Sequence, residues 1–186
     1  YVELDSFVYY DASKVSNVNA LKTRIIEGLT TYSKSTDVNK FGGRFKYSKA
    51  LNIIDDIDTA ITSNITRVKI RRNLRAVLNS FAQYELCFGN QFRINQEGKN
   101  IKSTGFTIEG ENEIVYITDI PNKDNNGNLD GSGLGVISIV REDSLRNTVV
   151  VVKSAGTVDY IHGEIIFTTV NITSTVKENN VIEIQA

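Results

Sequence analysis

Residues 122–135 (Asn-Lys-Asp-Asn-Asn-Gly-Asn-Leu-Asp-Gly-Ser-Gly-Leu-Gly) form the most site-like stretch of the chain. Asn126, Asn128 and Asp130, followed by Gly131, reproduce the first, third, fifth and sixth positions of a calcium loop, where alternate oxygens converge on a hard cation. The twelfth position is Ile137 rather than a bidentate Glu, only Asp124 and Asp130 bring charge, and no helical pattern flanks the loop. The expectation is therefore a mobile connection between strands ending near Ile120 and restarting at Leu134, since Asn, Asp and Gly all tolerate left-handed backbone. Gly131, Gly133 and Gly135 lack both the spacing and the following helix of a dinucleotide loop.

His162 has Asp159 three residues before it and Glu164 two after. On extended chain these point to different faces, and no nucleophile motif accompanies them, so a surface histidine in a turn Tyr160–Gly163 is expected rather than a general base. Asp55, Asp56 and Asp58 cluster acid at a helix end, but adjacent helical residues point about 100° apart and do not form a carboxylate pair. Cys87, inside an apolar run, reads as a small buried hydrophobe. Arg67, Lys69 and Arg71 are the charge concentration with a functional reading. A period of two sets them in a row on one strand face, with Val68 and Ile70 on the buried side, and such a row can hold the acidic surface of a partner or a phosphate backbone.

Composition narrows the classes further. The chain has 186 residues, 40% hydrophobic and 23% charged, with 21 Lys and Arg against 22 Asp and Glu and a net charge of -1. No global basic field exists to attract nucleic acid or anionic lipid. One Cys and one His exclude an internal disulfide, a cysteine metal cage and any site needing two imidazoles. No catalytic set, metal or cofactor is expected. No apolar run approaches the ~18 residues of a membrane span, and the first residues lack a signal-peptide layout. The absence of any methionine reads as an internal or C-terminal piece of a longer protein.

The elements that position these residues follow from hydrophobic period. Residues 6–12 are aromatic and β-branched, which suits a half-buried strand. Val18, Leu21, Ile25, Leu29 and Tyr32 fall at helical spacing and predict a helix over 18–34, with Ser16 or Asn17 as N-cap. Gly42-Gly43 breaks it, residues 44–47 read as a short extended piece, and Ser48 caps a second helix that turns Leu51, Ile54 and Ile57 inward. A strand over 61–71 and another over Phe81–Phe88, joined near Asn79, read as an antiparallel pair. Beyond residue 90 the glycine-punctuated runs Ile114–Ile117, Val136–Val140, Val149–Val152 and Glu164–Phe167 predict an antiparallel β unit. The fold class is α+β: a small domain over 1–92 of order β-α-β-α-β-β, then an antiparallel all-β domain over 93–186. Val149–Val152 is apolar on both faces, more than a unit of this size can bury, so a homodimer covering one side is expected.

Three stretches together resemble a family. Asn19–Leu29 with Phe45–Asp55 is similar to its pattern of a long helix, a glycine break and a short helix. Ile61–Arg71 leading into Tyr84–Phe92 resembles its strand pair ending in Phe-Gly-Asn. Gly156–Phe167 resembles its Gly-x-Ile-Asp-Tyr-x-x-Gly-x-Ile segment. The family is the dimeric baseplate wedge protein of T-even-like contractile-tailed phages, related to the baseplate J proteins of other tails. The resemblance implies a C-terminal portion of a wedge subunit, located in the tail baseplate of the virion and assembled in the host cytoplasm. Its implied partners are a second copy and other baseplate wedge proteins, without nucleic acid or membrane. The alternative is a carbohydrate- or cell-surface-binding β module of a virion, which scattered tyrosines and the lack of tryptophan weaken.

Overall fold

Asn17 starts the first helix in the way its side chain allows: Asn17 Oδ1 accepts from the Ala20 amide at 3.1 Å, satisfying one of the free N–H groups of the first turn. The computed structural model describes residues 1–186, the side chain of Thr169 excepted. Two compact units divide it, Val2–Lys69 and Ile70–Ala186 together with Tyr1.

The first unit contains β1 (Val2–Tyr10), α1 (Val18–Lys34), α2 (Tyr47–Asp56) and the first part of β2 (Ile61–Arg75). The α1 bounds match the sequence expectation, with Leu21 and Tyr32 buried and Ile25 and Leu29 half-buried. Gly28 lets the helices approach: a Cβ there would lie 2.9 Å from Ile57 Cδ1 and 3.3 Å from Ile53 Cγ2. On α2, Ala50 and Ile54 are fully buried, while Leu51 and Ile57 are half-buried. Lys46, not Ser48, occupies the N-cap, and no side chain caps the helix.

The strand expected between the helices is absent, because its backbone groups find partners outside any ladder. Arg44 N donates to Asp37 O at 3.1 Å, Lys46 N donates to the Tyr32 hydroxyl at 3.0 Å, and the Phe45 ring sits 6.3 Å from that of Tyr32. The order is thus β-α-α-β. β1 and β2 are neighbours. Ser6 meets Thr66 and Asp11 meets Ala60, so they run antiparallel.

The second unit is an antiparallel sheet. Its strands are the end of β2, β3 (Phe81–Cys87), β4 (Lys102–Ser103), β5 (Phe106–Ile108), β6 (Tyr116–Pro121), β7 (Leu134–Glu142), β8 (Thr148–Asp159), β9 (Glu164–Thr175) and β10 (Val181–Gln185). Their order is β2-β10-β4-β6-β7-β8-β9-β3, and β5 also pairs with β9. Ile101, Val115, Ile137, Ile165, Ile182 and Ile184 are fully buried in one core with Phe106 and Phe167. Each such side chain contributes about 1.5–3 kcal/mol through burial.

β2 and β3 do not pair with each other, contrary to the reading of adjacent strands. β2 pairs with β10, from Arg75 opposite Val181 to Arg71 opposite Gln185, whereas β3 pairs with β9 at the far end of the order. The connection crosses between them: Ala76 N donates to Asn180 O at 2.7 Å and Asn79 N to Ile172 O at 2.8 Å. A sequence boundary at 92 separates β3 from its partner strand, whereas the compact division falls between Lys69 and Ile70. Phe88 and Phe92 share the second unit's core, stacked edge-to-face with centroids 4.9 Å apart.

Candidate interaction interface

In the first unit, Arg67 and Lys69 project from β2 into solvent. The contact between Ser6 and Thr66 sets a register in which Asp5 stands opposite Arg67 and Phe7 opposite Ile65. Phe7 (55% exposed), Tyr9 (52%) and Ile65 (55%) share this outer face, so the cations border an apolar surface rather than forming an isolated charged row. The other side of β2 is less covered than its pattern predicts. Thr66 is buried, with Tyr47 Oη donating to its carbonyl at 2.7 Å, yet Val68 remains 40% exposed.

Arg71 belongs to the second unit and is engaged there. Its guanidinium pairs with Glu183 on β10 and lies 4.7 Å from the centroid of the Tyr1 ring. Lys177 reaches the second oxygen of Glu183 at 3.4 Å. The β10 strand that supplies this carboxylate had no clear signal in the sequence, so Arg71 reads there as solvent-facing like its neighbours.

The second unit carries an apolar outer face. Cross-strand register aligns Ile120, Val136, Thr157 and Ile166 on β6, β7, β8 and β9, with Leu134 in the adjoining row. Ile120 is 42% exposed, Leu134 44% and Ile166 36%, a contiguous patch of the kind that marks an association surface. Sequence reasoning missed it because the runs 136–140 and 164–167 are apolar at both parities, and only the sheet decides which parity faces out. Val150 is exposed within the valine run, while Val149, Val151 and Val152 are half-buried.

The remaining sequence candidates are placed as follows. Residues 122–133 connect β6 to β7 and are tied internally: Asp124 Oδ1 accepts from the amides of Asn126 (2.8 Å) and Asn128 (2.9 Å), and Asp130 Oδ1 from the amide and the hydroxyl of Ser132. These carboxylates are spent on the loop itself, which holds Asp130 below the usual carboxylate range. Among the described residues no group of three or more His, Cys, Asp or Glu converges to hold a metal. No helix is long and apolar enough to cross a membrane. Asp58 pairs with Arg24 and Asp55 accepts from Asn64 Nδ2 at 2.7 Å, so the acidic cluster is dispersed.

His162 and Asp159 do face each other, because the chain between them turns. Asp159 Oδ1 accepts from the amides of Ile161 and His162, and Oδ2 meets His162 Nδ1 at 2.8 Å. The hydrogen bond and the carboxylate charge raise the imidazole pKa above its ordinary 6.5, and the His162 amide and ring lower that of Asp159. Gly163 closes the turn at φ 68°, where a Cβ would fall 1.9 Å from Asn90 O. Cys87 is exposed, not buried. On β3 it shares the outward face with Phe81, Gln83 and Glu85, while Ala82, Tyr84 and Leu86 turn toward the core. Partial loss of water around the thiol, then its hydrogen bond to Glu85, pushes its pKa up, away from reactivity.

Residues 1–73 match the model of baseplate structural protein gp6, C-terminal domain III. A search of curated proteins returned no match. The gp6-like segment takes in the whole first unit and enters the second along β2, ending at Asn73. It contains the outer face of Phe7, Tyr9, Ile65, Arg67 and Lys69. The match covers 73 of the 186 residues, so the likeness to a baseplate structural protein is one of this segment.

Proposed function

We propose that the chain is a structural subunit of a phage tail baseplate wedge that assembles through homodimer and neighbour-protein contacts and performs no catalysis. The match of residues 1–73 to the gp6 domain carries this reading. The physical features agree with it. A scaffold protein presents rigid surfaces to several neighbours, and each unit here offers a sheet face with exposed large apolar side chains. Arg67 and Lys69 at the border of the first of these surfaces would steer an acidic neighbour and fix its register more than they would add affinity.

The apolar face of Ile120, Leu134, Val136 and Ile166 supports the homodimer. A two-fold contact brings the same patch from both copies together, and an obligate interface buries about 2,000 Å² or more. Sedimentation at micromolar concentration is expected to give twice the chain mass of 20.7 kDa. A monomer that persists as concentration rises would remove the dimer. Antibody labelling of intact tails tests the location independently: decoration of the baseplate is expected, and decoration of the tail tube or capsid alone would overturn the reading.

A further inference from the structure

β1 ends the strand order and has β2 as its single neighbour among the described residues. Its pairing side is fixed at both ends. Tyr1 O accepts from Arg71 N at 2.9 Å, and Asp11 N donates to the carbonyl of Ala60, just before β2, at 2.8 Å. Backbone direction alternates along a strand, so the odd-numbered residues bond to β2, and the N–H and C=O groups of Leu4, Ser6 and Val8 point away from it. Among the described residues no hydrogen bond reaches those groups. Edge strands are commonly blunted by proline, lysine, a bulge or shortness. β3, at the other end of the order, has seven residues and a bulge between Ala82 and Tyr84. β1 has nine residues without Pro, Gly or Lys, and from Ser6 to Tyr10 it carries no charge.

We propose that this edge takes up an extended segment of a neighbouring protein as an added strand. The segment's backbone bonds to Leu4, Ser6 and Val8, since only an extended chain repeats donors and acceptors at the spacing of a strand edge. On this side Phe7 and Tyr9 fall at the positions between hydrogen-bonded pairs, where opposed Cα atoms approach to about 4.5 Å. Both rings are exposed on the outer face, so the incoming side chains opposite them are apolar or β-branched. A second copy of β1 fits less well. A two-fold antiparallel register centred on Leu4 sets Glu3 against Asp5, one centred on Ser6 sets Asp5 against Phe7, and one centred on Val8 sets Asp5 against Asp11. Each brings a carboxylate onto a like charge or an aromatic ring. The inference rests on the assembly reading for the existence of neighbours, but the edge is defined by β1 itself.

Amide hydrogen exchange on the full chain tests it, with a peptide of the sequence of residues 61–71 as the added strand, since that pattern already pairs with β1 on its other side. Without peptide, the amides of Leu4, Ser6 and Val8 should exchange at least about tenfold faster than those of Asp5 and Phe7. Saturating peptide should slow these three by at least about tenfold and leave Asp5 and Phe7 unchanged. The same peptide with Thr66→Pro lacks a donor toward β1 and should protect less. Val8→Pro in the chain removes one edge donor and no bond to β2, and Phe7→Lys with Tyr9→Lys keeps the backbone intact should the proline variant misfold. Each is expected to weaken peptide binding by at least about tenfold. No alternation in the native chain, no slowing by the peptide, or undiminished binding by both variants would each overturn the proposal. Slowing that grows with the chain's own concentration, without peptide, would give the edge to a second copy and overturn it as well. None of these results bears on the labelling of intact tails, so the baseplate reading stands or falls separately.

Discussion

The Tyr160 hydroxyl donates to Asp119 Oδ2 at 2.6 Å, with both side chains fully buried. Asp119 Oδ1 accepts from the Ile101 amide, also at 2.6 Å, so one carboxylate ties the turn after β8 to β6 and to the segment entering β4. A buried polar group is tolerated when its partners are complete, and this one fixes a unique arrangement of three chain segments.

Tyr160→Phe removes the donor but leaves the carboxylate oxygen buried. Urea unfolding is expected to show a loss of about 1–3 kcal/mol in the unit that contains it. A loss within about 0.5 kcal/mol, the size of an ordinary surface substitution, would mean that the pair does not bear on stability.

The same pair sets an alkaline limit. Burial first, then the hydrogen bond and charge of Asp119, raise the Tyr160 phenol pKa well above its ordinary 10.0. The folded state keeps the proton that the unfolded chain releases above pH 10, so the stabilisation is complete below that pH and declines as pH rises beyond it. Denaturation midpoints should fall with pH in this range for the native protein, with a smaller slope in Tyr160→Phe. Equal slopes would assign the alkaline loss to other groups.

His162 is the sole histidine, so its ring resonances report one site. Its midpoint is expected above 6.5 and should move back toward 6.5 in Asp159→Asn, which keeps an oxygen for the Ile161 and His162 amides. The imidazole's contribution is present below its unfolded value and lost as pH rises through the folded one. That of Asp159, whose pKa is lowered, is present above 3.8 and lost as pH falls. A titration curve unmoved by Asp159→Asn would remove the interaction.

Gly163→Ala places a Cβ on left-handed backbone and against Asn90 O. A destabilisation of more than about 2 kcal/mol is expected by chemical denaturation. A near-native midpoint would show that the β8–β9 turn can relax, and that the approach to Asn90 is not required.

Because β3 pairs with β9, a fragment of residues 70–186 should give a cooperative thermal transition and retain β-rich circular dichroism, whereas 93–186 should not. Equal behaviour of the two would return the domain boundary to residue 92.

Local signals determined much of the molecule. The spacing from Val18 to Tyr32, with Asn17 before it, specified a helix and its cap because both depend on neighbours within one turn. The strand cores at 61–71, 81–87, 136–140 and 164–167 followed from β-branched and aromatic runs. Partner choice was not local. β2 and β3 are consecutive in sequence, but long-range pairing with β10 and β9 decides where each lies. Val181–Gln185 offered too few residues to announce that role.

The same division holds for the candidate sites. Period two placed Arg67, Lys69 and Arg71 on one strand face, yet whether each meets solvent depended on residues more than sixty or a hundred positions away, Asp5 opposite Arg67 and Glu183 against Arg71. The outward set of Ile120, Leu134, Val136 and Ile166 was decided only when four strands came into register. A one-residue slip exchanges core for surface in a run apolar at both parities, and the sequence of a single strand contains no term that resolves it.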